Sequence, residues 1–353
     1  MIKDNIRLLF RASAATCDCR AICLAGSSLT LGSLLLGAVP AISRANDVQP
    51  TQVVETLEGT FGVHPGLRRN HAKGTCAAGE FVGQTAAQEL SRSALFSGTH
   101  ISVLARFSVG GGNPNVADTD AALPRGMALE FHLPGGALQH MTMVNEPIFG
   151  GATPASFNDA LIAARPDPKT GRPDAGKLSD YLASHPDARP LAEWSKQHGP
   201  TATYYQSTYY SIHTFEFLDA KNTAHPVKWR FVPQDGVKEL TAAQVASAPH
   251  DFLERSLIDR VHKKKVLWDM VVYVGEPGDP LDNPSLAWPE SRRHFVAGTL
   301  TISEAVPQRG AACENVNFDP LVIADGIAPS NDPVLLFRSP AYAVSFGKRI
   351  SGQ

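Results

Sequence analysis

The sequence predicts an α+β protein, an antiparallel β-barrel core carrying peripheral helices. Three observations carry that expectation. Six segments alternate apolar and polar residues with a period of two, the pattern of strands with one face buried. Turns rich in Gly, Pro, Asn and Asp, such as GGGNPN and LPGG, separate them, as in antiparallel sheets and barrels. Helical stretches lie between these segments. With 353 residues, 43% of them hydrophobic, the chain is long enough for one large domain or two small ones.

The elements follow in chain order. Lys3, Arg7, Arg11 and Arg20 precede an uncharged run, 21–42, that contains LTLGSLLLGAVPA. Ser43 and Ala45 then place small residues where a signal peptidase reads, so 1–45 is expected to be a secretory signal cut after Ala45. Such a run, at about 20 residues, is also long enough to remain as a membrane anchor. No arginine pair precedes it, which speaks against twin-arginine export. The mature part, 46–353, is expected to be one domain, exported to the periplasm and free of the membrane once the signal is cut.

ISVLARFSV (101–109) and MALEFHL (127–133) read as strands, as do YSIHTFEFL (210–218), VKWRFV (227–232), VLWDMVVYV (266–274) and HFVAGTLTI (294–302). Helices are expected over 156–165 and 177–185. A further one should start at Thr241, where Gln244 completes a capping box, and lead into DFLERSLIDRVHKKK. The Pro- and Asp-rich section 166–200 reads as an irregular excursion from the sheet. A barrel of this kind either packs solid or holds something.

Charge narrows the function. A formal net charge of −2 lacks the basic excess of a nucleic-acid binder. There is no internal repeat and no low-complexity tract. Cys17, Cys19 and Cys23 lie in the leader, leaving Cys76 and Cys313 in the mature chain. In an oxidising compartment these two can pair, and the alternative is two buried thiols.

The stretch LRRNHAKG (67–74) surrounds one histidine with two arginines and a lysine. One reading is a solvated basic turn. The other is a site where arginine holds an anionic group while the imidazole handles protons.

Several longer motifs bear on that choice. LRRNHAKG resembles the distal histidine motif of haem catalases, with an arginine three residues before the histidine. ARFSVGGGNPNVADTDAALPRGMALEF (105–131), VNEPIFGGATPASF (144–157), YYSIHTFEF, DNPSLAWP (282–289) and FDPLVIADGIAPSNDPVLLFRSPAYAVSFGKR (318–349) resemble catalase segments in the same order. The chain thus resembles the haem catalase family, in its short, exported, catalase-related peroxidase branch. The resemblance implies a catalase-like barrel without the C-terminal helical domain of large catalases. It also implies heme b, a peroxide substrate and a small-molecule reductant.

Residue by residue, the resemblance makes Tyr342 the axial ligand of the haem iron. A phenol with a pKa near 10 needs a neighbouring cation to bind as the anion at neutral pH, and Arg338 matches the family arginine for that task. Pro340 lies between the two and is more at home in a first helical turn after Ser339. Arg68, Arg106 and Arg349 match arginines for the haem propionates, because buried carboxylates need partners and the guanidinium fork suits them. His71 matches the distal acid–base residue and Ser108 the serine that orients it. Phe149 and Phe157 match aromatic walls of the haem pocket, where core packing is the alternative. Arg69 and Lys73 read as surface charges, and His213 as structural.

Large catalases carry a distal asparagine where this chain has Val144, with Asn145 next to it as the candidate amide. The missing arm and helical domain put a tetramer in doubt, so a monomer or small homo-oligomer is expected. The rival readings are a true catalase that dismutates peroxide, and a non-catalytic haem- or lipid-binding barrel.

Overall fold

The computed structural model describes residues 48–353, so the leader read over 1–45 and its three cysteines lie outside the described residues. Helix α1 (Pro50–Phe61) opens the described chain, followed by strands β1 (Gly74–Gly83), β2 (His100–Val109), β3 (Arg125–His132) and β4 (Leu138–Val144). Helices α2 (Pro154–Ala163), α3 (Ala175–Ser184) and α4 (Arg189–Ser195) come next, then β5 (Tyr209–Tyr210), β6 (Phe215–Leu218) and β7 (Ala224–Pro233). Helices α5 (Ala242–Ser247) and α6 (Leu253–Lys263) lead to β8 (Val266–Val274) and β9 (His294–Pro307). The short α7 (Ala312–Asn315), β10 (Ile327–Pro329) and the long α8 (Pro333–Ile350) complete the chain.

The strands pair antiparallel in the order β7, β5, β4, β3, β2, β1, β9, β8, and β8 returns to β7 to close an eight-stranded barrel. β6 and β10 extend it as a flap alongside β7. Inward side chains fill the barrel completely. Phe107 stacks on Trp268 with ring centroids 5.6 Å apart, and Phe81 meets Phe131 edge-on at 5.4 Å. Met127, Tyr209 and Phe231 are buried among them. The barrel packs solid, and a bound group has to sit outside it.

Five of the six expected strands form as read, and the sixth divides. Residues 210–218 separate into β5 and β6: the Ser211 N–H still reaches the Trp229 carbonyl of β7 at 2.8 Å, and the chain then passes through buried polar residues before β6 begins. Ser211 Oγ donates to the His213 carbonyl at 2.7 Å, and the His213 ring bonds Asp332. β1 was not legible, since its Ala- and Gly-rich sequence shows no alternation. Gly79 is required there: a Cβ would run into the backbone of Thr301 and Ile302 on β9.

The section 166–200 is more ordered than its composition implies. It carries α3, capped by Asp174 through the N–H groups of Gly176 and Lys177, and also α4. The capping box at Thr241 forms, but α5 ends at Ser247 and α6 starts afresh at Leu253. Pro249 lies in the gap, and proline has no N–H with which to continue a helix. Pro340 also departs from expectation. It lies inside α8, whose first turn is at Pro333 and whose cap is Asp332. The carbonyl left without a helical N–H is that of Leu336, an exposed residue that water can reach.

Two basic residues of LRRNHAKG turn out to hold the fold. Arg69 is 3% exposed and donates from Nε to Glu58 on α1 at 2.6 Å, while Lys348 on α8 reaches the same carboxylate at 2.8 Å. This joins α1, the motif and α8 around one partly buried anion. Apolar contacts among Val53, Leu57, Phe61, Leu161 and Phe337 close the same junction. Lys73 donates to the Val116 carbonyl at 2.8 Å and pairs at 2.7 Å with Asp118, which is buried and caps the start of α6 through Phe252 and Leu253. The surface reading of both residues is therefore corrected: each neutralises a carboxylate that is largely out of water.

Cys76 on β1 and Cys313 on α7 form a disulfide, 237 residues apart in sequence. It is packed with Phe318, Leu104 and Val316. Closing so long a loop restricts the unfolded chain, so Cys76→Ser/Cys313→Ser should lower unfolding free energy by about 2–5 kcal/mol. Urea unfolding checks this, and a midpoint unchanged from wild type would show that the bond adds nothing.

Candidate active site

The site lies on the outer face of β2, β3 and β4, beneath the end of α8. His71 occupies a left-handed backbone conformation, φ 55°, which histidine tolerates better than most residues but still at a cost. Asn70 secures it: its Oδ1 accepts the N–H of His71 at 2.9 Å and that of Gly111 at 2.8 Å. The imidazole Nδ1 shares a 3.0 Å hydrogen bond with Ser108 Oγ on β2. Across the sheet, Ser108 is paired with Gly126 on β3. A methyl group on Gly126 would lie 2.6 Å from Ser108 Oγ and 3.0 Å from His71 Nδ1. Only glycine leaves room for this pair.

Burial pulls the His71 pKa down to about 3, and the positive charges of Arg106, Arg338, Arg68 and Arg125 add to the effect. The ring is therefore neutral across the physiological range, with Nε2 as the nitrogen left for a reactant.

Arg338 and Tyr342 stand one helical turn apart on α8 and meet directly. Arg338 Nη2 donates to Tyr342 Oη at 2.7 Å and to Thr142 Oγ1 on β4 at 2.7 Å. The helix continues through Pro340, so the two share one face as an i, i+4 pair. Behind them His213 Nδ1 bonds Asp332 at 2.7 Å, and the other carboxylate oxygen of Asp332 accepts the N–H groups of Val334 and Leu335. Burial takes the His213 pKa down to about 4 against the raising effect of Asp332, with Arg338 and Lys228 pulling the same way as burial.

Three more arginines converge from separate elements. Arg68 Nη2 donates to the carbonyls of Cys313, Glu314 and Val316, and Arg349 donates to those of Glu314 and Val316. Arg106 Nη2 donates to the His71 carbonyl at 2.6 Å, with Nε on Gln308 Oε1 at 2.7 Å. Burial, then the like charges of Arg106 and Arg349, drives the Arg68 pKa down to about 8. Burial lowers Arg106 as well, to about 10, with Arg349 opposing its charge. Among the described residues none of the three forms an ion pair with a carboxylate. Crowded guanidinium groups held by neutral carbonyls make a receptor for an anionic group, which fits two cofactor carboxylates.

Phe149 and Phe157 face each other with ring centroids 5.2 Å apart, joining the end of β4 to α2. Asn145 bonds the start of β3 through both side chain and backbone. Its Oδ1 accepts the Arg125 N–H at 2.6 Å, and its own N–H bonds the Arg125 carbonyl at 2.9 Å, so it ties β4 to the start of β3. Val144, not Asn145, is the cross-strand partner of Gly126, the glycine against which His71 stands. Asn70, Gly126, Gln308 and Thr142 were missed as site residues. Asn70 and Gly126 sit inside quoted motifs, whereas no local pattern marks Gln308 or Thr142.

The outer face of a solid antiparallel barrel thus carries a His–Ser pair, an Arg–Tyr pair and clustered arginines suited to an anionic group. The chain matches the catalase family model over residues 64–353, and it belongs to the catalase family. It is 47% identical over 332 residues to the catalase-related peroxidase of Synechococcus elongatus, covering 94% of this chain and 96% of that protein. Identity to the catalase-related peroxidase of Mycolicibacterium paratuberculosis is 34% over 299 residues, covering 84% and 93% respectively. Catalase from Listeria seeligeri is 27% identical, with 77% of this chain and 58% of that protein aligned. Among solved structures, catalase A from Saccharomyces cerevisiae superposes with a TM-score of 0.75 at 24% identity, covering 81% of this chain. A fungal catalase also gives 0.75, at 22% identity and 81% coverage. At those identities the likeness is one of fold, and this chain spans about 60% of the solved catalase chains. The catalase family is one of haem enzymes, and the residues present fit a haem.

Gly126→Ala should push His71 off Ser108. We expect a folded protein whose reaction with peroxide slows by about tenfold to a hundredfold, within the range of acid–base contributions. A rate equal to wild type in stopped-flow measurements would show that the imidazole position is not critical.

Proposed function

We propose that this protein is a haem-dependent peroxidase, reducing hydrogen peroxide or an organic peroxide with electrons from a small external donor. The observation that carries this reading is the placement of the His71–Ser108 and Arg338–Tyr342 pairs within electrostatic reach of each other and of Arg68 and Arg106. Arg338 lies close enough to oppose protonation of His71, and Tyr342 close enough to favour the charged forms of Arg68 and Arg106. Heme b, when bound, would supply the redox chemistry, accepting oxidising equivalents from peroxide and passing them to the donor.

The chain's own residues would divide the remaining tasks. Tyr342 Oη would hold the haem iron, with the Arg338 guanidinium donating to the same oxygen. Arg68, Arg106 and Arg349 would hold the propionates, and Phe149 with Phe157 would wall the pocket. His71 Nε2 would take the proton from one peroxide oxygen and return it to the other, so that water leaves instead of hydroxide. Ser108 fixes the ring for both transfers. The names of the two relatives covered over more than 90% of their length favour peroxidase over dismutation. Val144 opposite Gly126 favours it too, because the side chain facing that position is apolar and offers a second peroxide no hydrogen bond. Export of residues 46–353 to the periplasm after loss of 1–45, as a monomer or small homo-oligomer, completes the proposal.

The test is to measure both activities on one haem-stoichiometric preparation. We expect steady oxidation of a phenolic donor with comparatively slow oxygen release from peroxide alone, and His71→Ala should slow both. Vigorous oxygen evolution without donor oxidation would make the protein a small catalase instead. Tyr342→Phe, which removes the donor atom, should leave a soluble protein with little or no haem; full haem with an unchanged spectrum would refute the ligand assignment.

A pH profile adds an independent check. An ordinary histidine stops acting as a base below about pH 6.5. His71 keeps its neutral form down to about 3. The second-order rate with peroxide should therefore pass through the usual histidine range without a break and fall only in strong acid. A clear loss centred near neutrality would contradict this.

A further inference from the structure

Arg338 Nη2 carries two protons, and both are engaged: one bond runs to Tyr342 Oη and the other to Thr142 Oγ1, each 2.7 Å long. A guanidinium is a planar fork, so fixing one N–H of a nitrogen sets the direction of the other. Without an outside anchor, a long arginine side chain one turn from its partner would have several rotamers to choose from. Thr142 supplies that anchor from a different element, and its β-branched side chain is itself stiff about χ1. Its cross-strand neighbour on β3 is Ala128, which keeps the sheet surface low at this point. Val144 lies two residues further along the same face of β4, about 7 Å away, opposite the glycine that supports His71. One strand face thus references both halves of the site, the Tyr342 side through residue 142 and the His71 side through residue 144.

We propose that Thr142 is a positioning residue of the cofactor site, acting through Arg338 to hold a hydrogen bond on the ligand oxygen of Tyr342. The inference rests on the haem reading above. Its consequence is electronic: a hydrogen bond on a ligand oxygen withdraws charge that would otherwise reach the iron, a lever by which the protein tunes a haem. Loosening Arg338 should make the oxygen a stronger donor and favour the ferric state.

The haem-loaded protein is compared as wild type, Thr142→Val and Thr142→Ser, by redox titration and by resonance Raman of the tyrosinate ring modes. Valine keeps the shape and removes the hydroxyl, and serine restores it. We expect Thr142→Val to move the Fe(III)/Fe(II) equilibrium about tenfold toward ferric, the scale of one hydrogen bond to a charged group, with shifted tyrosinate modes. Thr142→Ser should stay close to wild type. An unchanged midpoint in Thr142→Val, or an equal shift in both variants, would overturn the proposal. Should Thr142→Val fail to take up haem, the serine variant decides: wild-type loading and spectrum support the role, and the same failure refutes it. A wild-type protein with haem but no tyrosinate signature overturns the Tyr342 assignment and this inference together, an outcome distinct from any produced by the Thr142 variants.

Discussion

Three guanidinium groups brought together out of water are the constraint on which this structure turns. Arg68 arrives on the loop before β1, Arg106 on β2 and Arg349 at the end of α8, and each opposes the charge of its neighbours. Only a rigid surround keeps such a cluster together. The carbonyls of Cys313, Glu314 and Val316 supply part of it, and the disulfide to Cys76 pins that turn against β1. The backbone of His71 supplies the rest through Arg106, so the anion receptor and the His71 imidazole share a support. An anionic cofactor relieves the repulsion, which makes the binding of that group part of the logic of the fold.

The solid barrel has a second consequence. Because aromatic and aliphatic side chains occupy its interior, the sheet serves as a floor and not as a container. The outward positions of β2, β3 and β4 become the functional surface: Arg106 and Ser108, Gly126 and Ala128, Thr142 and Val144. α8 then lies over that floor and brings Arg338 and Tyr342 to it one turn apart, with Arg349 two turns further on. The junction of α1, Arg69, Lys348 and Glu58 locks the helix in place. Residues far from the chemistry thereby decide the distance between its two halves.

Much of this was legible in the chain. Period-two alternation marked most of the barrel strands because a packed interior demands it. It failed at β1, where close sheet contacts require glycine, left β4 unread, and ran across 211–214, where buried polar residues separate β5 from β6. Ordered motifs across some 280 residues pointed to the catalase family, and the structure brings His71 against Ser108 and Arg338 against Tyr342. The amide oxygen of Asn145 is committed to the Arg125 N–H.

The sequence by itself determined the class of fold, the catalase kinship and the residue types available for haem and peroxide chemistry. These follow from local periodicity and from motifs that keep their order along the chain. Tertiary structure alone decided how those residues are used. Arg68 reaches the carbonyls of residues 313–316 while its neighbour Arg69 holds a partly buried glutamate, a distinction absent from the string LRRNHAKG. Pro340 stays inside a helix because the carbonyl it leaves unpaired belongs to an exposed residue. Thr142 gains a role because a strand 196 residues away in sequence lies under Arg338. In each case the deciding partner is remote in the chain, and the energy of a buried charge or hydrogen bond depends on that partner and on the water excluded around it, which no local pattern encodes.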